Sequence, residues 1–136
     1  MSRPFAIPPT RLDLTYVVTR HIVVRHMARD PSALLPLTPA MFYVLVALAD
    51  GETHGYAIMK DVDQLTRGGV RLSTGTLYGI IKRLLNEGLV REQRAADPRR
   101  RSYELTPFGR EVAKAEAARL EQTLAIARKK ALFRRM

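Results

Sequence analysis

The chain has 136 residues, enough for one small domain with an appendage and too few for two independent cores. No run approaches the roughly 18 consecutive apolar residues that span a bilayer, and the absence of cysteine removes disulfides, thiolate nucleophiles and Cys-type zinc sites together. Lys and Arg outnumber Asp and Glu by 23 to 13, for a net charge of +10, the balance expected of a protein that meets a polyanion.

The charge is unevenly spread. Residues 37–88, the most apolar stretch, carry five groups of each sign, so the excess lies in the flanks: five against two in residues 1–36, six against three in 89–110, seven against three in 111–136. A neutral core with basic flanks suits an anionic partner, with a merely soluble basic surface as the competing reading. His21, His26 and His54 stand in no metal-ligand spacing, and no metal or cofactor is expected. Basic and acidic residues interrupt any signal-peptide apolar region near the start, which points to a cytoplasmic protein.

Along the chain, Pro4, Pro8 and Pro9 break any early helix, Asp30-Pro31-Ser32 is turn chemistry, and Pro36 closes the segment. Between them Leu12 to Val24 is rich in β-branched residues with no second strand to pair with. Residues 1–36 are therefore assigned to an N-terminal extension, disordered or upstream of the true start.

Thr38-Pro39 then supplies an N-cap and a proline at the first helical position, opening a helix over Ala40 to Ala49 that is apolar almost all round and so central to the domain. A second helix is predicted over Gly55 to Thr66, with Ile58, Met59, Val62 and Leu65 inward, stopped by Gly68-Gly69. Ser73 caps a third, Thr74 to Asn86, with Leu77, Ile81, Leu84 and Leu85 inward and Gly88 just past its end. Strand-like runs Leu89 to Arg94 and Arg101 to Leu105, joined through Asp97-Pro98, read as a hairpin with a charged tip. Thr106-Pro107 repeats the earlier cap before a last helix to about residue 133, striped by Phe108, Val112, Leu120, Leu124 and Leu132.

Three helices followed by a hairpin is the order of a winged helix-turn-helix, whose third helix enters the major groove while the hairpin lies along phosphates or the minor groove. The fold class is thus mainly α with a small β-hairpin and one long C-terminal helix. Ser73, Thr74, Thr76, Tyr78, Gly79, Lys82 and Arg83 of the third helix offer hydroxyl and cationic groups for phosphates and base edges, and small Gly75 and Gly79 allow close backbone approach. Tyr78 stands outside the apolar face, where the pattern supplies no packing reason for it. Arg99, Arg100 and Arg101 at the hairpin tip form a phosphate clamp. For His54-Gly55-Tyr56 an acid-base role lacks a nucleophile or carboxylate partner, so glycine is read as a close-packing residue and tyrosine as a core anchor. No enzyme is expected, and residues 68–75 lack the Gly-Lys-Ser/Thr ending of a phosphate loop.

The segment from Leu37 to Arg110 resembles the PadR family of bacterial transcriptional regulators. The resemblance is carried in order by Leu37-Thr38, His54-Gly55-Tyr56-Ala57-Ile58, Ser73-Thr74-Gly75-Thr76-Leu77-Tyr78, Leu84 through Gly88-Leu89-Val90, and Arg101 through Tyr103, Leu105-Thr106-Pro107 and Gly109-Arg110. Thr74 departs from the proline often found there. The resemblance implies a dimeric repressor whose winged domain, residues 37–106, binds an inverted repeat in double-stranded DNA. It also implies that residues 107–136 form the dimerisation helix, here through Phe108, Val112, Leu120 and Leu124. Many such regulators respond to small molecules, but a single helix after the wing offers no larger C-terminal domain for an effector pocket. A protein-protein adaptor without specific DNA binding is the alternative.

Residues 1–26 have no role in this scheme, and Met27 offers an alternative start. Tyr16-Val17-Val18-Thr19-Arg20-His21-Ile22 can be encoded by TATGTCGTGACACGACATA, whose outer arms are reverse complements, so this stretch is read as an autoregulatory operator in coding form. A basic arm whose Arg11, Arg20 and Arg25 add phosphate contacts competes with it.

Overall fold

The computed structural model describes residues 29–97 and 100–133. The Leu12 to Val24 stretch, Met27 and Arg99 lie outside the described residues. After a 3-10 turn at Pro31–Leu34 come α1 (Pro39–Ala47), β1 (Thr53–His54), α2 (Gly55–Leu65), α3 (Thr74–Asn86), β2 (Val90–Gln93), β3 (Ser102–Leu105) and α4 (Pro107–Arg128), with a last 3-10 turn at Ala131–Phe133. No helix of the described residues is long and apolar enough to cross a membrane.

Local chemistry sets the helix starts. Thr38, Ser73 and Thr106 each accept the backbone N–H three residues on, from Met41, Thr76 and Gly109, as their sequence positions predict. Proline follows at the first helical position of α1 and α4, where its missing N–H has no cost. The expected hairpin is present, pairing Val90 with Leu105 and Gln93 with Ser102. A third strand joins its other side: Thr53 pairs with Tyr103 and His54 with Ser102, giving an antiparallel sheet in the order β1-β3-β2. Two residues are too few to show strand periodicity, so β1 has no signature of its own.

One core joins all four helices to the sheet. Val44, Leu45, Ile58, Val62, Leu77, Leu84, Leu89 and Val112 are wholly shielded, each contributing about 1.5–3 kcal/mol relative to exposure. Leu65, expected to face inward, is 57% exposed. It is the last residue of α2 and sits at the rim of an open groove against the end of α1. Beyond it Thr66 folds the chain back, its hydroxyl donating to the Val62 carbonyl and accepting the Val70 N–H.

The junction between α3, the hairpin and α4 is built from backbone. Gly88 (φ 76°) ends α3, and the N–H groups of Leu89 and Gly88 return to the carbonyls of Leu84 and Leu85. Thr106 donates its N–H to the Leu89 carbonyl at 3.0 Å and its hydroxyl to the Gly88 carbonyl at 2.6 Å, while capping α4. Gly109 then lies directly on Leu89: a Cβ there would fall 1.8 Å from the Leu89 carbonyl oxygen. Arg110 donates to the Ala49 carbonyl at 3.2 Å, fastening α4 to the end of α1.

Residues 29–36, assigned from sequence to the extension, are packed on this body. The Arg29 guanidinium donates to the Glu87 carbonyl at 2.7 Å, pairs with the Glu87 carboxylate at 3.1 Å and stacks 4.4 Å from the Phe108 ring centre. Leu34 and Leu35 pack on the core, and the Leu37 N–H donates to the buried Glu116 carboxylate at 3.0 Å. Arg119 closes on the same carboxylate at 2.5 Å; its hydrogen bond, more than burial can offset, holds the Glu116 carboxyl below its usual range.

These contacts correct the reading of the apolar stripe on α4. Val112 is wholly buried in its own chain and so is not available to a second copy, whereas Phe108 is half-buried, packed partly against the same core under Arg29. Leu120 and Leu124 remain 39% and 40% exposed.

Gly109→Ala should cost about 3 kcal/mol, at the upper end for overpacking, because the added carbon meets backbone instead of a mobile side chain. The measurement is the urea unfolding midpoint, and an unshifted midpoint would show that this contact does not constrain the fold.

Candidate nucleic-acid interface

The inward stripe Leu77, Ile81 and Leu84 leaves the opposite face of α3 open. Ser73, Thr74, Thr76, Tyr78, Gly79, Lys82 and Arg83 are all exposed, and a Cβ at Gly75 or Gly79 would meet nothing within 4 Å. Neither glycine is required by packing within the chain. Ser73 accepts the Thr76 N–H and donates its hydroxyl proton to the Thr76 oxygen at 2.9 Å, which leaves the Thr76 hydroxyl proton for another acceptor. Arg83 also lines a small cleft with Pro36, Thr38 and Glu87, so its stem runs toward the start of α1.

Tyr78 does have a packing partner, contrary to the sequence expectation. Its hydroxyl lies where a side chain at position 55 would be: a Cβ on Gly55 would come within 2.5 Å of it. Two motifs that were separate in the sequence, His54-Gly55-Tyr56 and Gly75-Thr76-Leu77-Tyr78, thus meet at one contact. The reading of Tyr56 as a core anchor is also corrected. Gly55 is buried and takes the inward position at the start of α2, and Tyr56, one residue round the helix, is 77% exposed. Below Tyr78, burial pushes the Tyr103 phenol up, Glu92 and Tyr78 adding to it against a smaller pull from Arg101.

In the hairpin, Arg91 pairs with Glu104 at 2.8 Å and Arg101 with Glu92 at 3.6 Å. Arg101 therefore shares its charge across the strands, whereas Arg100 stands exposed at the tip. Arg99, the third member of the expected clamp, lies outside the described residues. Among the described residues no group of three His, Asp or Glu could hold a metal.

The sequence reading missed Glu116, although a signal existed. It falls four residues after Val112 and four before Leu120, on the apolar stripe itself, and Arg119 follows at the helical spacing that lets the two meet.

Comparison with known proteins places this surface in context. The profile of the Transcriptional regulator PadR-like family matches residues 44–115. An uncharacterized 37.1 kDa protein in transposon TN4556 of Streptomyces fradiae is 46% identical over 78 residues, 57% of this chain but only 22% of that protein. The transcriptional regulator Rv3488 of Mycobacterium tuberculosis is 42% identical over 82 residues, 59% of this chain and 74% of that one. In fold, the chain is similar to Bacillus subtilis PadR crystallised in complex with operator DNA, at a TM-score of 0.51 and 20% identity over 59% of this chain and 47% of that one.

Gly55→Ala should displace the Tyr78 ring and destabilise the chain by about 1 kcal/mol. In a Tyr78→Phe background the same substitution should cost less, with a coupling of about 0.5 kcal/mol in a double-mutant cycle. Strict additivity would mean that the two residues do not touch.

Proposed function

Because the chain belongs to the PadR-like family of transcriptional regulators, we propose that it is a dimeric repressor that binds an inverted-repeat operator, α3 entering the major groove and the hairpin tip resting on phosphates. The observation that carries this reading is the open face of α3: hydroxyls and cations over two glycines that the fold itself does not need. In it Ser73, Thr74, Thr76, Tyr78, Gly79, Lys82 and Arg83 meet the groove, and Arg100 and Arg101 meet the backbone. That Bacillus subtilis PadR was crystallised with operator DNA supports the assignment by analogy of fold.

The reading of a two-fold dimer is supported by the far half of α4, where Leu120, Leu124 and Ile126 are exposed at 39%, 40% and 54%. Apolar side chains repeating along one helix are a liability in water unless a second copy covers them. As operator we take the palindrome TATGTCGTGACACGACATA, one choice of synonymous codons for residues 16–22, which would make the protein a regulator of its own gene.

The chain should bind that duplex in preference to a scrambled counterpart and lose orders of magnitude in affinity between about 50 and 200 mM salt. Equal, weak binding to both duplexes would favour the adaptor reading, and preference for a different palindrome selected from a random pool would remove only the autoregulatory part. Replacing Leu120 and Leu124 together by Glu should give monomers in sedimentation with much weaker DNA binding. Dimers that persist in the double variant would place the interface elsewhere.

A further inference from the structure

Two apolar side chains stand open in the molecule, each beside charge of one sign. Leu65 closes α2 at the rim of the groove where α2 meets the end of α1. Val46, Ala47 and Leu65 supply the apolar lining of that groove and Asp50, Asp61 and Gln64 its polar lining, around a volume of about 470 Å³. Neither aspartate makes an ion pair among the described residues. Leu132 is 72% exposed in the 3-10 turn past the end of α4, with Phe133 beside it. Residues 122–136 carry five cations and no acidic side chain, Arg128, Lys129 and Lys130 standing immediately before that turn. Arg128 lies 5.5 Å from the Phe133 ring centre, whereas Lys129 and Lys130 make no ion pair among the described residues.

The groove and the tail of one chain are held apart by α4. Arg110 fastens the first turn of that helix to the carbonyl of Ala49, which lines the groove. Arg128 stands eighteen residues further along the same helix, about 27 Å at 1.5 Å per residue, and the turn that holds Leu132 begins beyond it. It therefore takes a second copy to bring the two surfaces together. On a chain of net charge +10 most of the surface repels a basic tail. The groove is where unpaired carboxylates and apolar surface coincide, so attraction and burial act at the same place.

We propose that the tail of one copy seats in the α1–α2 groove of another, Lys129 and Lys130 meeting Asp50 and Asp61 while Leu132 and Phe133 cover Leu65 and Val46. The tail and the groove are different patches, so the contact runs head to tail and links two-fold dimers to one another in rings or rows. It takes its building block from the dimer reading above, but uses neither the Leu120 and Leu124 stripe nor the open face of α3. On DNA, a row of linked dimers fills neighbouring operators together, since each bound dimer offers a free groove and a free tail to the next.

Sedimentation of the full chain without DNA is the test. The wild-type mass should rise past the dimer with concentration at about 0.01 M salt and return to the dimer at about 1 M, as the screening length falls from about 30 Å to about 3 Å. Reversing the tail, Lys129→Glu with Lys130→Glu, and reversing the groove, Asp50→Lys with Asp61→Lys, should each abolish the larger species. Mixing the two reversed chains should restore them, because the acidic tail of the first meets the basic groove of the second, and this recovery shows that both variants are folded. Leu132→Gln leaves the charge unchanged and should move the association to about tenfold higher concentration, the loss expected for one buried leucine. A wild-type chain that stays dimeric at low salt, or a mixture that does not recover, overturns the proposal. Larger species that form only when duplex DNA is added assign the tail to nucleic acid and overturn it equally. In a Leu120→Glu, Leu124→Glu background the same reversals act on monomers, so failure of the two-fold reading is told apart from failure of this contact.

Discussion

The architecture depends on a contact with no side chain in it. Gly109 of α4 rests on the carbonyl of Leu89 so closely that no other residue fits without movement, and Thr106 donates its N–H to that same carbonyl and its hydroxyl to the carbonyl of Gly88. The end of α3, the first strand of the hairpin and the first turn of α4 therefore share a handful of backbone atoms. Side chains can change rotamer to absorb strain, but a backbone-to-backbone contact cannot. The contact thereby constrains the orientation of α3 relative to α4. In a dimer formed through Leu120 and Leu124, this junction would carry the spacing of the two α3 helices, which must match half-sites about 34 Å apart.

Along α4 the environment changes at Glu116. Up to that point the helix belongs to the domain core: Gly109, Val112 and Glu116 are buried. Beyond it the apolar residues are exposed. The Glu116 carboxylate is 1% exposed and serves two donors from different parts of the chain, the Leu37 N–H and the Arg119 guanidinium. A buried carboxylate in this position adds little net stability while paired but becomes costly if a partner is removed. The segment before α1 is thereby bound to α4, and Arg29 does the same at the end of α3 by bridging Glu87 and Phe108.

The positive charge available to a partner is smaller than the net charge suggests. Arg91 and Arg101 are paired across the hairpin and Arg71 is paired with Asp63, whereas Lys60, Lys82 and Arg100 make no ion pair among the described residues. Exposed pairs of this kind are worth only about 0–1 kcal/mol. Separating Arg101 from Glu92 therefore costs little.

Much of this was legible in the sequence because it is local. Thr38, Ser73 and Thr106 cap helices through donors three residues away, Gly88 supplies a left-handed turn, and the stripe Leu77, Ile81 and Leu84 repeats within one helix, so each feature is written in a few consecutive residues. The strand at Thr53–His54, the inward glycine and outward tyrosine at 55 and 56, the meeting of Gly55 with Tyr78, the exposure of Leu65 and the burial of Glu116 were decided only by tertiary structure. Periodicity states which face of an element is apolar, but what lies against that face comes from residues tens of positions away. Glu116 shows this most plainly: its place on the stripe is visible in the sequence, whereas the N–H it receives while buried comes from Leu37, 79 positions earlier.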